Sequence, residues 1–206
     1  VLMALSPGAP VGLRRSLEAG GEASFAPALQ IAVAALAIVS MPLSIAALNE
    51  HYAGQAVIAP GDLARQVFLA QLLPLGLGML ARRLLPGLAA RAERGVSRAA
   101  SILLLGLIAI ALADFFPVVI GAGPRAAVCV VLVTALALAI GHSLGGPDPQ
   151  TRTVVAISSA VRNPGLALLV ASVNHAPPAV ISTVLAYLLI SAFTVLPYVA
   201  WRRRAV

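Results

Sequence analysis

The sequence is short of charge. Only 10 % of its 206 residues are charged, and the fourteen basic ones are all Arg, with no Lys at all. A soluble domain carries about 25 % charged residues, because a folded surface has to be wetted. Here 60 % of residues are hydrophobic and the mean hydropathy is +0.99, so apolar surface has to face lipid. Cysteine is nearly missing as well. Cys129 is the single one and lies in an apolar run, which excludes an internal disulfide and leaves a small packed hydrophobe. The 17 Gly and 15 Pro occur in apolar rather than Ser- or Gln-rich segments, which excludes a disordered chain. There is no phosphate loop, no Cys/His metal cluster, and no Ser–His–acid set at one depth, so enzyme chemistry is not expected. The start, Val1-Leu2-Met3, has neither a basic n-region nor an initiator Met, and reads as the interior of a longer protein.

What is present is a series of apolar spans. A transmembrane helix needs ~20 mostly apolar residues. Six segments meet this, at about 24–48, 64–84, 99–119, 125–144, 153–173 and 178–201. Barrel-type alternation is missing, and helices satisfy their own backbone groups in lipid, so the class is an all-α polytopic membrane protein. Arg placement orients it. With Arg202, Arg203 and Arg204 in the cytoplasm, strict alternation puts Arg14, Arg15, Arg82, Arg83, Arg91, Arg94, Arg98 and Arg152 there too. Only Arg65 and Arg125 fall outside, and Arg162 lies within a span. The expected location is a cell (inner) membrane, with the bilayer as partner. The net charge of +7 is loop charge beside spans rather than a nucleic-acid surface.

Two segments are broken by Pro-Gly. The fifth span carries Arg162-Asn163-Pro164-Gly165 at its midpoint, and Leu2–Leu13 carries Pro7-Gly8. Pro removes a backbone donor and Gly frees the chain to unwind, which membranes tolerate only where protein or water covers the break. Pro7 lies 35 residues before Pro42, and Pro164 lies 33 before Pro197. By the Arg count the two pairs run in opposite directions. This is the pattern of an inverted-repeat transporter with paired discontinuous helices, whose sites form where the half-helix ends meet. If the second repeat is the five helices from 64 to 201, about three and a half helices of the first precede Val1. The chain would be N-terminally incomplete.

At these residues the chain resembles the bile acid:sodium symporter family, over essentially its whole length and as a C-terminal part beginning at the fourth-helix crossover. Ser6-Pro7-Gly8 is similar to the family's Pro-Gly-Gly crossover in its fourth helix. Asn163-Pro164-Gly165-Leu166-Ala167 is similar to the Gln-Asn-x-Gly-Leu-Ala crossover of its ninth. Gln71-Leu72-Leu73-Pro74-Leu75-Gly76-Leu77-Gly78, with Arg82-Arg83, is similar to the sixth helix and the following loop. The resemblance implies a core domain and a panel domain. It assigns 1–48 to the end of the first repeat and 64–119 to the panel helices of the second. The core helices of the second repeat are then 125–201, with the broken helix at 153–173, and 202–206 is a cytoplasmic tail. It also implies sodium as coupling ion, but the positions aligned with the family's ion ligands hold Gly12, Leu13, Ser158 and Arg162, and only Asn163 is kept. No cofactor and no resident metal are expected, and sodium coupling is in doubt.

The expected function is secondary transport of a small organic anion by alternating access, with the site between Ser6–Pro10 and Ser158–Gly165. The alternatives are a non-transporting membrane ligand sensor, or a sodium-independent carrier, proton-linked or uncoupled, on the same fold. No oligomer is assigned. Arg162 is the leading candidate, read as a cation gripping a carboxylate or sulfate, with a structural cation that ties the carbonyls of the break as the lesser reading. At the bilayer centre an unpaired Arg costs ~2.5–3.5 kcal/mol on insertion scales. Asn163 would orient substrate or hold unwound backbone, and Ser158 and Ser159 would offer hydroxyls to a ligand or to their own helix. Ser6, Pro7, Gly8, Pro164 and Gly165 complete the candidate site. Asp114 is read as reaching the interface or Arg125, with proton coupling as the lesser reading. His142 and His175 are read as solvated, and Glu50, His51 and Asp62 as no metal site. Gly76, Gly78 and Gly106 are read as close-packing positions.

Overall fold

The computed structural model describes residues 2–51, 59–121 and 123–205, with the side chains of Leu2, Pro10, Asn49, Pro60 and part of the stretch 104–123 outside the description. The described residues are almost entirely helical. In order they are α1 Leu2–Leu5, α2 Pro10–Glu18, α3 Phe25–His51, α4 Pro60–Val67, a π-helical turn Phe68–Leu72, α5 Leu73–Leu84, α6 Pro86–Gly121, α7 Gly123–Leu144, α8 Pro149–Ala160, α9 Pro164–Val173 and α10 Pro178–Ala205. The only extended pairing among them is an isolated antiparallel bridge between Gly8 and Arg162. The chain is an all-α polytopic membrane protein. Among the described residues four helical stretches are long and apolar enough to cross a bilayer: Phe25–Leu48, Gly61–Leu84, Pro124–Leu144 and Pro178–Ala205.

Punctuation explains most of the boundaries. Pro stands in the first turn of α2, α4, α5, α8 and α9, where its missing N–H costs nothing. Pro42 and Pro197 lie inside α3 and α10 without ending them. The strip Arg91–Arg94, read above as loop, is instead helical. Only Leu85 leaves helical geometry there, and the Ala-, Arg- and Leu-rich run after Pro86 supports helix for 36 residues. At 1.5 Å per residue α6 is roughly 54 Å long, more than the ~30 Å hydrocarbon core, so its charged start has to project beyond it. The segment expected as a tail after residue 201 continues α10 as far as Ala205.

Each broken helix is wedged between unbroken ones. Ala156, Ile157 and Ala160 of α8 pack with Ala19, with Leu138 of α7 and with Val195 and Val199 of α10. On the other side of the break, Leu166 and Val170 of α9 pack with Ala37, Met41 and Ile45 of α3 and with Leu63 and Val67 of α4. Ala167 joins Met3 of α1 and Val184 and Tyr187 of α10. By contrast α5 buries none of its residues, and leucines of α5 and α6 such as Leu77, Leu80, Leu88, Leu103 and Leu105 are exposed.

Close packing falls on glycines other than the expected ones. A Cβ on Gly76, Gly78 or Gly106 would meet nothing within 4 Å among the described residues. At Gly141 it would stand 2.7 Å from Ala156 Cα and 2.9 Å from Ser159 Oγ, so this glycine is what lets α7 lie against α8. Ends of helices are tied as well. Arg202 is buried, and its Nε donates to Thr153 Oγ1 at 2.7 Å while Nη2 donates to the Pro149 carbonyl at 2.7 Å. Arg203 Nη2 reaches Glu18 Oε2 at 3.2 Å, so the C-terminal ends of α2 and α10 share one end of the molecule. His142 is not solvated as expected: it bonds the Tyr198 hydroxyl at 2.8 Å and packs with Trp201. The Asp114 side chain lies outside the description, so its expected pairing with Arg125 does too.

Two stability outcomes follow, both read from thermal unfolding in detergent. Gly141→Leu should destabilise by about 1–3 kcal/mol through overpacking, whereas Gly76→Leu should stay within about 0.5 kcal/mol of the parent. Asp148 caps α8, accepting from Thr151 N at 2.7 Å, and that backbone hydrogen bond holds its carboxyl below the usual carboxylate range. A depressed folded-state value means that the cap's contribution is full above the unfolded carboxylate pKa and is lost as pH falls through the folded one. The gap in midpoint between parent and Asp148→Asn should therefore narrow on titration from neutral to about pH 3.

Candidate functional site: the crossover of two broken helices

The two breaks meet. Ser6–Ala9 separates α1 from α2, and Val161–Asn163 separates α8 from α9, so each break lies at or just before its Pro-Gly pair. In the second, Pro164 and Gly165 already form the first turn of α9, with Asn163 as N-cap. The unwound stretches run antiparallel and exchange backbone hydrogen bonds: Ala9 N donates to the Val161 carbonyl at 3.1 Å, and Asn163 N to the Pro7 carbonyl at 3.0 Å. A donor stranded in hydrocarbon costs several kcal/mol, so each break supplies what the other needs.

Side chains complete the joint. Ser6 is fully buried; its hydroxyl donates to the Met3 carbonyl at 2.9 Å and accepts from Asn163 N at 3.2 Å. Asn163 Oδ1 caps α9 through Leu166 N at 3.1 Å, and its Nδ2 points at Gln71 Oε1 at a long 3.5 Å. The Gly8 carbonyl accepts from Gln30 Nε2 at 2.6 Å. Space at Gly8 is tight, since a Cβ would stand 3.2 Å from the Ser158 carbonyl oxygen and 3.3 Å from Gln30 Oε1. Arg162 turns back along the first break, and its Nη1 donates to the Ser6 carbonyl at 3.3 Å. Among the described residues two buried side-chain polar atoms at this joint have no partner, Arg162 Nε and Gln71 Nε2.

Beside the joint lies a cavity of about 510 Å³. The crossover contributes Ala9, Val161, Arg162 and Pro164, α2 contributes Arg14 and Arg15, α6 contributes Ser97, Ser101 and Leu105, and α10 contributes Leu188 and Ser191. Glu18 neutralises Arg14 at 3.0 Å on the exposed side. Among the described residues neither Arg15 nor Arg162 pairs with a carboxylate. Ala9 and Val11 at the start of α2, and Pro164 at the start of α9, line the same cavity, so two helix N-termini add partial positive charge there. Among the described residues no group of three or more His, Cys, Asp or Glu could hold a metal, which includes the described part of the Glu50, His51 and Asp62 set. The arrangement is chemically a cationic wall on an apolar chamber.

The expected residues divide into three groups. Ser6, Pro7, Gly8, Arg162 and Asn163 are brought together at the joint, and Pro164 and Gly165 open α9 beside it. Ser158 reaches the joint by its carbonyl. Ser159 does not: its hydroxyl lies toward Gly141 on α7, because one position along a helix turns a side chain by about 100°. Reading the sequence missed Gln30, Gln71, Arg14, Arg15, Ser97 and Ser101. A glutamine inside an apolar span was the available signal for the first two. Arg14 and Arg15 were read only as loop charge. The π-helical turn Phe68–Leu72, which carries Gln71 at its fourth position, had no signal in the sequence.

Residues 1–121 match the family model of the Sodium Bile acid symporter family. That stretch takes in the first break and α2 to α6, and stops before the second break. The resemblance expected over the whole chain, as a C-terminal part, is thus found over the N-terminal 121 residues of this sequence. No curated protein matches the chain.

Truncating Ser6 should separate a joint residue from a bystander. Ser6→Ala strands buried groups and should cost about 1–3 kcal/mol of stability. Ser159→Ala should cost less than about 0.5 kcal/mol. Unfolding midpoints of the two purified variants check this.

Proposed function

The chain belongs to the sodium bile acid symporter family, and from that premise we propose that it is a secondary transporter of a small organic anion. The family is a transporter family, and the molecule is a multi-pass membrane protein. The observation that carries the reading is Arg162, a cation at the meeting point of two broken helices, lining a cavity whose other walls are largely apolar. In water such a cation holds a carboxylate weakly; within a membrane protein the same pair is desolvated and oriented. A charged or sulfated head would lie toward Arg162 and the two helix N-termini, and an apolar body would lie against Val161, Leu105 and Leu188.

Alternating access supplies the mechanism. The cavity has the crossover, α2 and α10 on one side and α6 on the other. We assign the first group to a core and 64–119 to a panel. The two broken helices and their opposed Pro spacing support an inverted repeat, and core movement against the panel would expose the anion to each side in turn. Two polar links would have to break in that movement: Asn174 Nδ2 to Gln66 Oε1 at 3.2 Å, and Asn163 to Gln71. The Arg distribution favours a cytoplasmic C-terminus in an inner membrane.

Uptake of a radiolabelled bile acid into proteoliposomes tests the reading. The parent should accumulate it. Arg162→Gln should raise the apparent KM about 10- to 100-fold, the worth of a charge-assisted hydrogen bond in a desolvated site. Binding without accumulation by the parent would make the protein a sensor. An unchanged KM in Arg162→Gln would remove Arg162 from the anion site.

A further inference from the structure

The family's description couples its transport to sodium, and the crossover residues of this chain can be tested for fit to that ion. In transporters with broken helices, sodium is held by unwound carbonyls and half-helix C-terminal ends. A hard cation needs several oxygen ligands, most effectively with a carboxylate among them. The seven acidic residues are Glu18, Glu22, Glu50, Asp62, Glu93, Asp114 and Asp148, and none lies in Leu2–Ala9 or Pro149–Val173 beyond the cap residue Asp148 at the far end of α8. Four carbonyls of the two breaks already accept hydrogen bonds from across the joint. Ser6 O takes Arg162 Nη1, Pro7 O takes Asn163 N, Gly8 O takes Gln30 Nε2, and Val161 O takes Ala9 N.

The unsatisfied atoms point the same way. A vacant cation site with side-chain ligands would leave buried side-chain oxygens without partners. Among the described residues the buried side-chain atoms without a partner at this joint are both N–H donors, Arg162 Nε and Gln71 Nε2. They call for acceptor atoms, the opposite of a metal ion. The guanidinium itself stands two residues past the C-terminal end of α8 and bonds the carbonyl that follows α1. A positive charge belongs there, since helix C-termini carry partial negative charge.

We infer that Arg162 is the built-in counter-cation of the crossover, and that this chain moves its anion without sodium bound at that joint. The first half stands on geometry alone; the second rests on the transport reading given above. The residues do not fit a sodium ion, and a guanidinium, a permanent cation with a planar fork of donors, does the joining that a metal would do.

Two measurements decide it. In the first, the full chain is purified in detergent and unfolded thermally in sodium chloride and in choline chloride at equal ionic strength. The parent midpoint should be the same in both. A sodium-specific rise of several degrees, as binding at about a hundred times Kd would give, overturns the proposal. In the same assay Arg162→Ala should unfold earlier than the parent and be raised selectively by methylguanidinium. Destabilisation without such rescue overturns the counter-cation role; if that variant cannot be purified, Arg162→Lys takes its place, with a midpoint nearer the parent expected and sodium stabilisation overturning the idea. In the second, bile acid uptake by the parent is compared in sodium and choline gradients. Equal rates support the inference, and a several-fold sodium stimulation overturns it. No uptake in either medium counts against the transport reading, and the micelle measurements then decide the role of Arg162.

Discussion

Everything in this molecule hangs on one exchange of hydrogen bonds between two stretches of unwound backbone. A helix interrupted inside a bilayer leaves donors and acceptors with no water to satisfy them, and one interruption alone would be prohibitively costly. Two interruptions laid antiparallel solve the problem together. Ala9 N finds the Val161 carbonyl, and Asn163 N finds the Pro7 carbonyl. Ser6, Gln30 and Asn163 then use their side chains on the groups that remain. The half-helices α1, α2, α8 and α9 exist as separate elements because this joint lets them end in the middle of the fold.

The packing around the joint keeps it in register. α8 is held by α7 and α10, and α9 by α3, α4 and α10, so neither half of the second broken helix can move without disturbing a long unbroken one. Gly141 and Gly8 mark two close approaches. One lets α7 touch α8, and the other lets the first break touch the second. At the end of the molecule that carries the chain's last residues, Arg202 and Arg203 tie α10 to the start of α8 and the end of α2. The crossover is packed by its neighbours, whereas α5 and α6 carry exposed leucines.

Charge is the second constraint. A chain that carries so few charged residues still places a half-buried Arg between two broken helices; at a bilayer centre an unpaired cation is disfavoured by ~2.5–3.5 kcal/mol on insertion scales. The cost is partly offset by the Ser6 carbonyl and by the C-terminal end of α8, and one buried donor is left over. The proposed anion would supply the acceptor that this donor lacks. On the inference drawn above, the same guanidinium stands where a sodium ion would, and four carbonyls of the breaks and two buried side-chain donors are the observations behind it. Membership of the family and a joint without sodium are compatible on that reading, since a fold fixes where a ligand sits and the local residues fix which ligand it is.

The sequence by itself determined the class, the helices and the two points of failure. Hydropathy has to be satisfied locally in lipid, so apolar run length reports spans directly, and Pro7-Gly8 and Pro164-Gly165 announce breaks because they remove donors from any helix that contains them. Arg162 and Asn163 were legible for the same reason: polar residues at bilayer depth have few innocent explanations. Tertiary structure alone decided that the breaks pair with each other, that Ser159 turns to α7 while Ser6 bridges the joint, and that Gln71 is delivered by a π-helical turn. It also decided that Arg14 and Arg15 share a cavity with Arg162, and that the Arg91–Arg94 strip is helix. The physical reason is range. Spans and breaks follow from bonds a few residues apart, whereas partners such as Ser6 and Arg162 lie 156 positions apart and meet only when the whole chain is packed.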